Sequence, residues 1–151
     1  VRLVILESPY AGEIRLNLAY AHACMRDCLE RNEAPFASHA LYTLPGVLDD
    51  SVSEERTLGI EAGLAWGRMA DATVVYVDRS ISKWMRQGIE RAVSEGRAVE
   101  VRSLYGDSAA LLSGLAVVAE IRAHGNRPEI GDRELDSPLP LAPNVIEARK
   151  K

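Results

Sequence analysis

The sequence predicts an α/β domain, a doubly wound parallel sheet of four to five strands with helices on both faces, and three observations carry that reading. The opening run Arg2-Leu-Val-Ile-Leu-Glu7 is apolar, stops at a Ser-Pro-Tyr-Ala-Gly turn and passes at once into an amphipathic stretch, the pattern of a first βα unit. Ala72-Thr-Val-Val-Tyr-Val-Asp78 is apolar and β-branched, as suits a strand covered by helices on each side. Strand and helix patterns alternate along this region, and parallel pairing then requires right-handed crossovers.

Each element has its own signal. From Glu13 to Arg31, the residues Ile14, Leu18, Ala21, Met25, Cys28 and Leu29 form a one-sided helical stripe. Asn32-Glu-Ala-Pro35 ends it, and Phe36 and Ala37 begin a short strand leading into Ser38-His39. Leu44 to Asp50 reads as loop, and Ser51-Val-Ser-Glu54 as a capping box. The helix it opens runs to about Met69, with Leu58, Ala62, Ala65 and Met69 expected inside. Ser80 to Glu95 is the next helix, stopped by Gly96. Val99, Val101 and Ser103 alternate with Glu100, Arg102 and Leu104, which places a fourth strand near an edge. Ser108 to Ala123 is the last helix. Pro128, Pro138, Pro140 and Pro143 then exclude a continuous helix or central strand. The domain is therefore expected over 1–125, with a Pro-rich tail over 126–151. That tail is either disordered or docked on a neighbouring surface through Leu139, Leu141, Val145 and Ile146.

A chain of 151 residues with 47% hydrophobic and 26% charged content fits one globular domain. The net charge of -4 and the lack of a Lys/Arg cluster argue against a nucleic-acid partner, though not against a nucleotide ligand. Arg2 is followed by only four apolar residues before Glu7, so no signal peptide is expected. No apolar run approaches the ~18 residues of a membrane span, and the expected compartment is cytoplasmic. Cys24 and Cys28 share one helix face as small hydrophobes. No metal and no cofactor are implied.

Four loops should converge at the carboxyl edge of the sheet, where parallel α/β domains bind ligands: Glu7 to Gly12, Ser38 to Asp50, Asp78 to Ser82, and Tyr105 to Asp107. Asp78-Arg-Ser-Ile-Ser-Lys83 opens a helix, so Ser80 and Ser82 are candidates to hold a phosphate or carboxylate, or simply to cap the helix. His39 follows a strand end and either binds a hydroxyl or base edge or serves as a structural donor. A carboxylate at the end of an interior strand must be hydrogen-bonded, paired or functional, because burying it bare is expensive. Glu7 and Asp78 both meet that description. Tyr10 either stacks on a base or ribose or covers the first helix.

Glu7-Ser-Pro-Tyr-Ala-Gly12, Asn17, Pro35-Phe-Ala-Ser-His39, Glu55-Arg56 with Gly59, and the segment from Asp78 to Ala92 resemble the nucleoside 2-deoxyribosyltransferase-like superfamily. The likeness runs from Arg2 to about Leu104 and is greatest to the small, mostly uncharacterised branch common in phages and prophages. It implies a flavodoxin-like sheet, a nucleoside- or nucleotide-type small molecule as ligand, and N-glycosidic bond chemistry through a carboxylate. Ser8, Pro9 and Tyr10 match residues that shape the sugar pocket, beside Gly12 in the same turn. Ser82 and Met85 match a Ser-x-Gly-Met motif. Two positions depart from the pattern: Trp84 stands where the family has glycine, and Gly88 where it has its nucleophilic glutamate.

The reading that follows is hydrolysis or deoxyribosyl transfer at an N-glycosidic bond, with Glu7 and then Asp78 as catalytic candidates. Ser8, Pro9, Tyr10, Gly12, His39, Ser80, Ser82 and Met85 are the ligand-binding candidates. The alternative is a non-catalytic protein that captures a nucleotide-derived ligand or signal, which Gly88 favours. A third is a structural subunit that assembles through Trp66, Trp84 and the tail. Family members usually pair so that one subunit completes another's pocket, so a homo-oligomer is expected, with Trp66 seeking a partner.

Overall fold

In the computed structural model, which describes residues 1–125, the chain runs β1 (Arg2–Glu7), α1 (Ile14–Glu30), β2 (Glu33–Phe36), α2 (Ser38–Leu41), α3 (Ser53–Gly67), β3 (Ala72–Tyr76), α4 (Lys83–Ser94), β4 (Ala98–Arg102) and α5 (Ser108–His124). The strands form a four-stranded sheet in the order β2-β1-β3-β4, with every pair parallel. This is the doubly wound, flavodoxin-like α/β architecture. The register sets Glu7 beside Val75, so the last residue of β1 stands next to the penultimate residue of the buried strand, near its carboxyl end.

Strand alternation divides the core into two layers. Val4, Leu6, Val74 and Tyr76 meet Tyr20, Cys24 and Cys28 of α1 on one face. Val75 and Val77 meet Met85 and Ile89 of α4 and Val118 and Ile121 of α5 on the other. Tyr76, Leu6, Met85 and Ile89 are completely enclosed, each stabilising the fold by about 1.5–3 kcal/mol relative to exposure. Both cysteines are free and buried, as small core residues. β3 is buried along its whole length, and β4 is an edge strand.

Three local expectations change. β2 begins at Glu33 and includes Pro35; it is the other edge strand, where a missing N–H is tolerated. The capping box at Ser51 does not form. Instead the Ser51 amide and hydroxyl both donate to the Asp49 carboxylate, the Glu55 carboxylate accepts from the Asp49 amide, and α3 starts at Ser53 without a side-chain cap. The inner face of α3 is also not the expected one: Leu58 is 47% and Met69 70% exposed. The face turned inward carries Gly59, Gly63 and Gly67, flanked by Ile60 and Leu64. A Cβ at Gly63 would lie 2.9 Å from the Ser38 Cβ, so the approach of α3 to α2 depends on that glycine. The Pro-rich tail, with its expected docking, lies outside the described residues. No helix among the described residues is long and apolar enough to cross a membrane.

Candidate functional site

β1 leads to β2 on one side and is paired with β3 on the other, so the chain departs in opposite directions from adjacent strand ends and leaves a crevice there. At this edge of the sheet lies a cleft of about 570 Å³, between the ends of β1 and β2, the glycine face of α3 and the inner side of α4. Phe36, Tyr42 and Trp84 give it aromatic walls, and Phe36 also stacks against Trp66 at 5.2 Å between ring centroids. Trp66 thus has an intramolecular neighbour, although it remains 54% exposed.

Glu7 lies at the floor. Its side chain leaves the end of β1 on the face covered by α4, and the carboxyl sits against the α4 backbone at Gly88. A Cβ built on Gly88 would overlap Glu7 Oε1 and stand 2.6 Å from Cδ, closer than real contacts allow, with Oε2 at a tight 3.1 Å. The glycine is the space in which the carboxyl rests. Burial pushes the Glu7 pKa up to about 8, and the Arg97 charge opposes that only in part. Arg97 is itself occupied, donating to the Gly67 carbonyl at 2.6 Å and to Thr73 Oγ1 at 3.0 Å while pairing with Glu95. No hydrogen bond from a described residue reaches the Glu7 carboxyl.

Ser8 and His39 meet at the same place. Ser8 Oγ and His39 Nε2 are 2.8 Å apart, and burial lowers the His39 pKa to about 4, so the imidazole is neutral near pH 7. The turn that aims Ser8 and Tyr10 is held by Asn17, whose amide donates to the carbonyls of Tyr10 and Ala11 at 3.0 and 2.9 Å. Asn17 Oδ1 in turn accepts from Arg79 Nε at 2.8 Å, tying the first loop to the β3–α4 loop. Gly12 completes the turn with φ +89°, a conformation suited to glycine, and it stands outside the cleft lining. Pro9 is buried and is not part of that lining.

The β3–α4 loop divides its candidates. Ser82 lines the cleft and caps α4, accepting from the Met85 amide at 3.2 Å, while Met85 is buried beneath it. Ser80 is exposed, with φ +71° in the turn before the helix, and does not face the cleft, so the two hydroxyls do not converge. Asp78 also lies outside the cleft. Its oxygens accept from Tyr20, Ser103 and the amides of Leu104 and Tyr105. Burial acts to raise its pKa, but those bonds outweigh it and hold the group below the usual carboxylate range. Asp78 ties β3 to the loop after β4; it is in no position to meet a ligand in the cleft.

Several lining residues were not singled out from the sequence. Arg97 and Tyr42 carry no local signal, since their place depends on packing between distant segments. The four-residue spacing of Gly59, Gly63 and Gly67 is such a signal, marking one helix face held close to something. At the mouth, Arg56 pairs with Asp50 at 3.3 Å, fixing the loop that enters α3. Among the described residues no cluster of His, Cys, Asp and Glu suits a metal ion.

Residues 2–102 match the model of a domain of unknown function, DUF7768, and the chain belongs to that family. No curated protein matches it in sequence. A solved structure of a 2-deoxyribosyltransferase from the psychrotolerant bacterium Bacillus psychrosaccharolyticus is similar over 70% of this chain and 74% of that one, with a TM-score of 0.51 and 21% identity. The likeness is one of fold.

Proposed function

We propose that this chain breaks the N-glycosidic bond of a nucleoside or nucleotide, by hydrolysis or deoxyribosyl transfer, with Glu7 as its catalytic carboxyl. The observation that carries the reading is the Glu7 carboxyl at the cleft floor, without a hydrogen-bond partner among the described residues and seated in the space left at Gly88. A raised pKa suits proton donation to a departing base near neutrality, where general acid catalysis is most effective. The aromatic walls suit a base, and the Ser8–His39 pair suits a sugar hydroxyl. Ser82, at the N-terminus of α4, is the best placed of the helix-opening serines for a phosphate or sugar oxygen. The fold it shares with a 2-deoxyribosyltransferase supports the same direction.

The proposal extends to the setting: a member of the phage and prophage branch, acting in the cytoplasm, with residues 1–125 as the binding domain, and assembling as a homo-oligomer through the exposed side of α3 that carries Trp66. Sedimentation as a monomer at micromolar concentration would remove the last part.

One observation favours a second reading, a binding protein without catalysis. Gly88 takes the place at which the resembled transferases carry their nucleophile, and Trp84 narrows the cleft beside it. The test is a panel of nucleosides and nucleotides scored for both free base and thermal shift. Base release supports the enzyme, a shift without release supports the binder, and neither outcome removes both.

A further inference from the structure

The number and placement of carboxyl groups in the cleft narrow the reaction, and the argument rests on the N-glycosidic reading above. A double displacement through a covalent glycosyl-enzyme needs two groups: an ionised carboxylate to attack C1′, and a proton donor for the leaving group. In glycosidases of that kind the two carboxyls stand about 5–5.5 Å apart. Here Glu7 is alone at the floor. The other lining carboxylates are Asp50, Glu55 and Glu90. Asp50 pairs with Arg56, Glu55 accepts from the Asp49 amide, and Glu90 is exposed on α4. Asp78, the remaining candidate, is enclosed by its own donors outside the cleft. On α4 the position set directly against the Glu7 carboxyl is Gly88, and that carboxyl already fills the space a side chain there would need.

We propose that this site is hydrolytic and non-covalent: Glu7 serves only as proton donor to the leaving base, and water, rather than a protein carboxylate, forms the new bond to C1′. The C1′–N bond breaks with its electron pair passing to the base, and the Glu7 proton moves onto that base. The water oxygen bonds to C1′ and loses a proton to solvent, which also returns one to Glu7. Free base and free sugar, or sugar phosphate, are the products. Ser8, with one hydrogen bond to His39, keeps hydrogen-bonding capacity to hold that water or a sugar hydroxyl. The protonated state of Glu7 in the neutral range agrees with an acid and disagrees with a nucleophile.

The experiment incubates the full chain with purine and pyrimidine 2′-deoxyribonucleosides and their 5′-monophosphates, each with a tenfold excess of a second free base. Chromatography follows released base, free sugar and exchanged nucleoside. In parallel, intact mass is measured after incubation with a 2′-fluoro-arabinonucleoside, whose glycosyl-enzyme would break down slowly. The expected result is base and sugar in equal amounts, no exchanged nucleoside and no mass adduct. Base exchange, or an adduct of one glycosyl unit, overturns hydrolysis without a covalent step while leaving the N-glycosidic reading in place. Absence of base release from every substrate overturns both.

Discussion

Replacing Gly88 by alanine tests whether the contact between α4 and Glu7 is what organises the cleft. In an ordinary helix interior this change stabilises by about 0.5–1 kcal/mol, because alanine loses less conformational freedom than glycine. Here the new Cβ would stand 2.6 Å from the Glu7 Cδ, against about 3.5–4.0 Å for relaxed carbon contacts. The carboxyl must therefore retreat by about 1 Å, and overpacking of this kind costs about 1–3 kcal/mol. The expected net effect of Gly88→Ala alone is a loss of about 1–2 kcal/mol. In a Glu7→Ala background the space is empty, and the same change should stabilise by its helix-propensity value. Chemical denaturation of the four proteins at pH 7 then gives a coupling of about 1.5–3 kcal/mol between the two positions. Base release should fall on the order of 10²-fold in Gly88→Ala, the scale of a 1 Å misplacement of a catalytic group. An equal stability change in both backgrounds would refute the contact, and unchanged base release would show that the position of the carboxyl does not matter.

Glu7→Gln keeps shape and removes the titrating proton, so base release should drop by roughly two or more decades while nucleotide affinity, read by calorimetry, stays within a few-fold. Glu7 also leaves a signature in stability. Its folded pKa of about 8 lies above the ordinary 4.5, so the folded state binds more protons and stability falls as pH rises between those values. His39, lowered from 6.5 to about 4, acts in the opposite sense, making stability rise with pH across its own window. The two oppose each other up to about pH 6.5, and the uncompensated decline from there to about pH 8 approaches 1.4 kcal/mol per pH unit at most. Denaturant midpoints measured from pH 6.5 to 8 should slope downward in the wild type and flatten in Glu7→Gln; equal slopes would contradict the shifted pKa. Asp78→Ala strips acceptors from Tyr20, Ser103 and two loop amides and should cost about 3 kcal/mol of stability. Base release per folded molecule should stay at the wild-type level in that variant, and a selective loss would return Asp78 to the catalytic candidates.

The sequence disclosed the sheet because burial on both faces leaves its mark in composition. β3 is Ala-Thr-Val-Val-Tyr, all of it enclosed, and no surface segment would be written that way. α3 was misread for the complementary reason. Hydrophobic periodicity finds a face centred on large side chains, whereas α3 turns inward a face centred on Gly59, Gly63 and Gly67, with Ile60 and Leu64 only at its side. Its Leu58 and Met69 keep the helical spacing of a core stripe yet stay largely exposed. Asp78 shows a further limit. The need of a strand-end carboxylate for partners is legible, but those partners come from Tyr20 on α1 and from Ser103 to Tyr105, and only the fold brings them near.

Glu7 and Gly88 show what lies between those cases. Each breaks a local rule by itself. A half-buried carboxyl without a described hydrogen-bond donor is costly, and a glycine in the middle of a helix costs about 1 kcal/mol relative to alanine. The sequence exposes both anomalies, one as a charge at the end of a buried run and one as a missing side chain at a motif position. It gives no sign that they belong to each other, because their contact is made only when α4 packs across the end of β1. In the fold the two irregularities account for one another: the glycine leaves the volume and the carboxyl occupies it. Neighbouring exceptions that compensate in this way are expected at functional sites, where local consistency is given up for chemistry. A structural acceptor would be expected to gather donors at its oxygens, as Asp78 gathers Tyr20, Ser103 and two loop amides. What the floor of the cleft offers instead is a largely protonated acid, an arginine already committed to Glu95, and an open volume above.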